Sequence, residues 1–115
     1  MMDASTIAAI LSQYKKHGWT LRRVLVSDSL RVQMGIAGSD IFDSAEIVYS
    51  DIDALWFSRS SRPGAETWEL RRLGNSPYAI DAFLDEEMTV AARETIIMDT
   101  EERLRQNDSR HASDH

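Results

Sequence analysis

The sequence predicts an α+β fold, an antiparallel sheet of three to five strands with an N-terminal and a C-terminal helix packed on one face. Three observations lead there. The chain opens on a helical apolar period, and a second, thinner one fills residues 89–106. Between them lie short apolar runs separated by turn residues, the pattern of strands.

The first helix is expected over residues 4–17. Ile7, Ile10, Leu11 and Tyr14 fall on one face, with Asp3 or Ser5 available as the cap. Lys15, Lys16 and His17 place cations in the last turn, and Gly18 supplies a left-handed stop. Residues 19–27 read as a strand, Val24 and Val26 facing one way and Leu21 and Leu25 the other. Arg22 and Arg23 then point to opposite faces. Asp28 or Ser29 caps a short helical turn over 30–34, and GIAGSD is a loop. Residues 45–49, with Ile47, Val48 and Tyr49, form a short strand.

Residues 52–73 are the organising hairpin. Its first strand carries Leu55 and Phe57 at one parity and Ala54, Trp56 and Ser58 at the other. On the second strand Trp68 and Leu70 oppose Thr67, Glu69 and Arg71. Pro63-Gly64 is the turn between them. After a second turn at 74–77, residues 78–84 fit either a strand with Tyr78, Ile80, Ala82 and Leu84 inward, or a helix with Ile80, Phe83 and Leu84 on one face. The strand is preferred because it gives the hairpin a neighbour. Thr89 caps the last helix, where Asp99 with Arg103 and Glu101 with Arg105 form acid-before-base pairs. Residues 1–106 read as one domain and the polar stretch 107–115 as a disordered tail.

Composition removes several chemistries. The 115-residue chain has no cysteine, which excludes disulfides, thiolate-held metals and cysteine nucleophiles. No apolar stretch approaches the roughly 20 residues of a membrane span. No basic segment leads into an apolar run at the start, so a cytoplasmic protein is expected. The formal net charge is −6, concentrated in residues 78–106, where eight acids face three arginines. That charge repels phosphate backbones and counts against nucleic acid.

No phosphate-binding loop, HExxH or GxSxG motif is present. Of three histidines, only His17 precedes the expected tail, and its place at a helix end explains it. Asp40, Asp43, Glu46, Asp51 and Asp53 recur closely but do not match a calcium loop. No catalytic residue, metal ligand or cofactor is therefore nominated. The candidate binding surface is Trp56 with Arg59, Arg62, Arg71 and Arg72. If Leu55 and Phe57 face the core, Trp56 faces outward among arginines, as at protein interfaces. If the sheet's second face is covered, Trp56 is core instead.

The expectation is a small protein-binding module that pairs a sheet face or edge with a partner or with itself. A ligand binder or enzyme with a pocket between sheet and helices is the alternative. Nucleic-acid binding through the arginine-bearing hairpin is the third reading.

Overall fold

A computed structural model describes residues 4–34, 42, 45–74 and 78–113. The elements are α1 (Ala4–Lys16), β1 (Thr20–Val26), α2 (Asp28–Met34), β2 (Glu46–Tyr49), β3 (Ala54–Arg62), β4 (Ala65–Arg72), β5 (Ala79–Asp85) and α3 (Val90–Ser113). The Asp3 cap, the GIAGSD loop, Asp40, Asp43, most of the 74–77 turn and His115 lie outside the described residues.

The end of α1 follows from Gly18. Its φ of 86° places it in the left-handed region. The chain then doubles back, so that Gly18 N–H donates to Lys15 O (3.0 Å) and Trp19 N–H to Tyr14 O (3.0 Å). The Trp19 ring meets the Tyr14 ring edge-on at 6.0 Å. These two bonds and this contact constitute a Schellman stop.

The five strands form one mixed sheet in the order β2-β1-β3-β4-β5. All neighbouring pairs are antiparallel except β1 and β2, which run parallel. The all-antiparallel expectation fails at that pair. A parallel neighbour needs a crossover, and the chain between β1 and β2 contains α2. The cap of α2 is Ser27, one residue before those the sequence suggested: its Oγ accepts from Leu30 N–H at 3.2 Å. The Asp53 carboxylate holds this corner, accepting from Ser27 N–H (2.6 Å) and Ser27 Oγ (3.1 Å).

The hairpin turn is the two residues Pro63-Gly64, between the paired Arg62 and Ala65. Gly64 has a φ of 80°, which suits the second central position of a type II turn. Such a turn does not match the strands' twist, and a bulge between Ser60 and Arg62 absorbs the mismatch. Residues 79–85 are a strand, as preferred from the sequence.

Two apolar clusters line the two faces of the sheet. Val24, Leu55 and Phe57 pack with Ile7 of α1 and Leu30 of α2. Leu25, Ala54, Trp56, Trp68, Leu70, Ile80 and Leu84 pack with Ile97 and Leu104 of α3. The terminal helices therefore cover opposite faces, which corrects the expectation of a shared face. The reason lies in β3, where Ala54, Leu55, Trp56 and Phe57 are all buried. A strand apolar at both parities must be covered on both sides.

A bulge in β1 corrects a second detail. Between Leu21 and Arg23 the register shifts. Arg22 then lies over Trp68 (5.0 Å) while Arg23 pairs with Glu94 of α3 (2.8 Å), so both arginines serve the α3 face. Thr89 caps α3, accepting from Ala92 N–H at 3.1 Å. That helix continues to Ser113, past the end expected at Gln106 and into the stretch expected to be disordered. Asn107 accepts a hydrogen bond from the Arg72 guanidinium, which ties the extension to β4. No helix among the described residues is long and apolar enough to cross a membrane.

Candidate functional site: the open half of the sheet

Trp56 has no exposed surface, so it belongs to the core and not to a binding surface. Its ring meets Trp68 edge-on at 5.9 Å, and its Nε1–H donates to Glu101 Oε2 at 2.9 Å. Glu101 is thus engaged by Trp56, and Arg105 is engaged by Asp51 (2.8 Å) and Glu102 (3.2 Å), where a Glu101–Arg105 pair was expected.

The four arginines of the expected surface do not converge. Cross-strand pairing puts Arg59 and Arg71 on the α1 face and Arg72 on the α3 face. Arg62 stands at the hairpin tip. Arg59 stacks on Trp19 (4.6 Å) and reaches His17 O (3.4 Å). Arg62 pairs with Asp85 (3.9 Å), and Arg71 donates to the carbonyl of Arg72. Arg72 is buried and stacks on Tyr78 (5.2 Å). Each of them therefore has work within the fold.

The closely spaced acids are likewise accounted for where they are described. Glu46 pairs with Arg23 (2.8 Å), Asp51 with Arg105, and Asp53 holds the α2 corner. The Arg105 guanidinium holds the Asp51 carboxyl below the ordinary aspartate range. His17 is in hydrogen-bonding contact with Gln13, one turn earlier in α1.

What remains is a surface that the sequence did not nominate. α1 and α2 contact β1, and α3 contacts β4 and β5 on the opposite face. On the α1 face the described helices leave β5 open, with Ala79, Asp81 and Phe83 exposed, while Thr67, Glu69 and Arg71 of β4 are half-buried. These six residues stand on that half of the sheet in cross-strand register. Phe83 is 68% exposed, although its neighbours Ala82 and Leu84 are buried.

Tyr14 marks the boundary. Its ring stacks on Phe57, with centroids 3.9 Å apart and planes within 10°. Its hydroxyl donates to Glu69, which lies directly opposite Asp81. Burial, then the Glu69 carboxylate, hold the phenol protonated well above the ordinary tyrosine range. Burial also raises the Glu69 carboxyl, and a hydrogen bond with Asp81 raises it further, against the opposing Tyr14 hydroxyl. Neither Glu69 nor Asp81 forms an ion pair with an arginine or lysine among the described residues.

The backbone adds to this surface. Arg72 N–H donates to Tyr78 O (2.8 Å) and Glu86 N–H to Gly64 O (2.8 Å). With Trp68 opposite Ala82, these bonds define which residues of β5 turn their backbone toward β4: the even-numbered ones. Ala79, Asp81 and Phe83 consequently aim N–H and C=O at the free edge of the sheet. The residues with unpaired backbone are those whose side chains stand on the open half.

A cleft of about 580 Å³ lies at the hairpin tip and is lined in part by Arg62, Gly64, Glu66, Glu86 and Arg93. Both of its arginines are paired, Arg93 with Glu66 (3.7 Å) and Arg62 with Asp85. No group of three or more metal-ligating side chains occurs among the described residues. No known protein family matches this sequence, and neither a curated protein nor a solved structure is significantly similar to the chain.

Proposed function

We propose that this chain is a small cytoplasmic protein-binding module whose working surface is the β5 edge together with the open half of the sheet. The observation that carries the reading is Phe83. A large aromatic, 68% exposed, stands on the edge strand of the described sheet and on a face that no described helix covers there. Exposed edge strands are pairing templates, and proteins blunt them unless a partner uses them. β5 is seven residues long and contains neither proline nor lysine.

The other two readings have less behind them. A ligand binder would need an enclosed site with unspent polar groups, and the hairpin-tip cleft is shallow with paired charges. Nucleic-acid binding would need free cations on one face, whereas the hairpin arginines are divided between faces and engaged.

A photo-crosslinking residue placed at position 83, in the native cell, tests the proposal. A control at position 98 replaces Met98, which is exposed on α3 at 66%. Discrete protein adducts at position 83 and none at 98 are expected. Equal labelling, or none at 83, overturns the reading.

A further inference from the structure

We infer that the occupant of the β5 edge is an extended, cationic segment of another protein, added as a sixth strand. Its lysine or arginine lies over Asp81 and Glu69, and its apolar residue packs beside Phe83. This rests on the proposal that β5 is a docking edge and specifies the partner's chemistry.

The pattern follows from geometry. Asp81 and Phe83 are two residues apart on one strand, so their side chains share a face. A strand hydrogen-bonded to their outward N–H and C=O groups sets its own side chains directly opposite, also two residues apart. The partner therefore reads cation-x-apolar, in either chain direction. Both anchor types are needed, because neither a single exposed charge pair nor a single aromatic contact holds a flexible segment.

Charge selects the partner's sign. Elsewhere in the fold Glu46, Asp51, Glu66, Asp85, Glu94 and Glu102 each meet an arginine. Among the described residues Glu69 and Asp81 form no close ion pair: Glu69 meets Tyr14 and Asp81, and Arg59 acts on it only at longer range. A cation brought over them supplies the close counter-charge that no described ion pair provides. A second copy of this chain supplies the opposite. Its β5 would bring Asp81 and Asp85 toward the same carboxyls, in a chain of net charge −6. Like charges across a strand pair destabilise it.

Three synthetic eight-residue peptides are the probes, titrated at low salt into the isotopically labelled full chain. In the first, alternate positions are lysine and phenylalanine, with threonine between. The second replaces lysine by glutamate. The third is the lysine peptide with prolines at the threonine positions, which cannot form a ladder. Amide shifts and hydrogen exchange at Asp81 and Phe83 report docking on β5.

The lysine peptide should protect both amides and bind about tenfold more tightly than the glutamate peptide, as expected for a few exposed charge pairs acting together. Asp81→Asn with Glu69→Gln should remove most of that preference. Equal binding of the lysine and glutamate peptides overturns the inference and leaves β5 as a docking edge. Equal binding of the proline peptide overturns strand addition. If no peptide perturbs the β5 amides while they are protected in a concentration-dependent dimer, the occupant is a second copy and the inference fails. If they are perturbed in neither case, the docking proposal fails with it.

Discussion

Trp56 and Phe57 are neighbours in β3 and equally hidden from solvent, but they lie in differently finished halves of the molecule. Trp56 faces α3, which spans 24 residues and contacts both β4 and β5. Phe57 faces α1, of 13 residues, whose outermost contribution to the sheet is the Tyr14 ring. On the α3 face the cover runs out to β5 and buries Ile80, Ala82 and Leu84. On the α1 face it stops at the Tyr14–Glu69 hydrogen bond, and the same strand shows Asp81 and Phe83 to solvent. The length and placement of one helix relative to the other thus separate scaffold from surface.

The largest test of this contrast is Trp56→Ala. Removing a fully buried indole beneath α3 leaves a cavity bounded by Trp68, and the Glu101 carboxylate loses its donor. We expect a loss of about 3–5 kcal/mol in urea unfolding. A loss below about 1 kcal/mol, the scale of an exposed substitution, would mean that α3 does not close this face.

Tyr14→Phe probes the boundary itself. The substitution keeps the ring stacked on Phe57 and deletes only the hydroxyl that donates to Glu69. The expected loss is about 1 kcal/mol, the net value of one hydrogen bond in a partly solvated place. Combined with Glu69→Gln, the two effects should fall short of adding, because both remove the same bond. Strict additivity would show that the hydroxyl and the carboxyl act apart.

Much of the scaffold was readable in the residues. Gly18 after Lys15, Lys16 and His17 announced the end of α1, and Pro63-Gly64 announced the hairpin. Two things were hidden. The parallel β1–β2 pair rests on a four-residue strand, too short to declare its partner. The second covered face was hidden because one apolar parity in β3 suffices for a half-buried strand. The run Ala54-Leu55-Trp56-Phe57, apolar at both parities, held the signal that Trp56 is core. The exposed face of β5 was hidden for a related reason. Phe83 was weighed as one face of a helix with Ile80 and Leu84, and as a strand residue it falls in the polar register with Asp81. An aromatic out of phase with the buried set is the trace of an open face, legible only once strand is chosen over helix. The arginines misled because sequence shows their number but not their partners.

The two faces should also differ in their response to pH. On the α3 side the Arg105 guanidinium lowers the Asp51 carboxyl, so its contribution is present above the unfolded value and lost as pH falls through the folded one. On the open side Glu69 is raised, chiefly by burial. The folded chain then binds that proton more tightly than the unfolded chain. Its contribution is greatest below the unfolded value and is lost as pH rises through the folded one. Glu69→Gln should therefore flatten the decline in stability just above the ordinary glutamate range of about 4.5 and leave the loss on acidification in place. An unchanged pH profile would mean that burial does not raise Glu69 in the folded chain.

Phe83→Ser makes the smallest expected change in stability and the most telling one. Ala82 and Leu84 on either side are buried under α3, so β5 keeps its anchorage when Phe83 is cut back. An exposed substitution of this kind falls within about 0.5 kcal/mol of the parent, far below the loss expected for Trp56→Ala. The same substitution should abolish protection of the Asp81 amide by the lysine–phenylalanine peptide, since the apolar half of the recognition pattern is gone. Stability that falls by 2 kcal/mol or more, as for a core aromatic, would mean that Phe83 is covered in the folded chain. The open half of the sheet would then be closed, and the contrast between the faces would disappear.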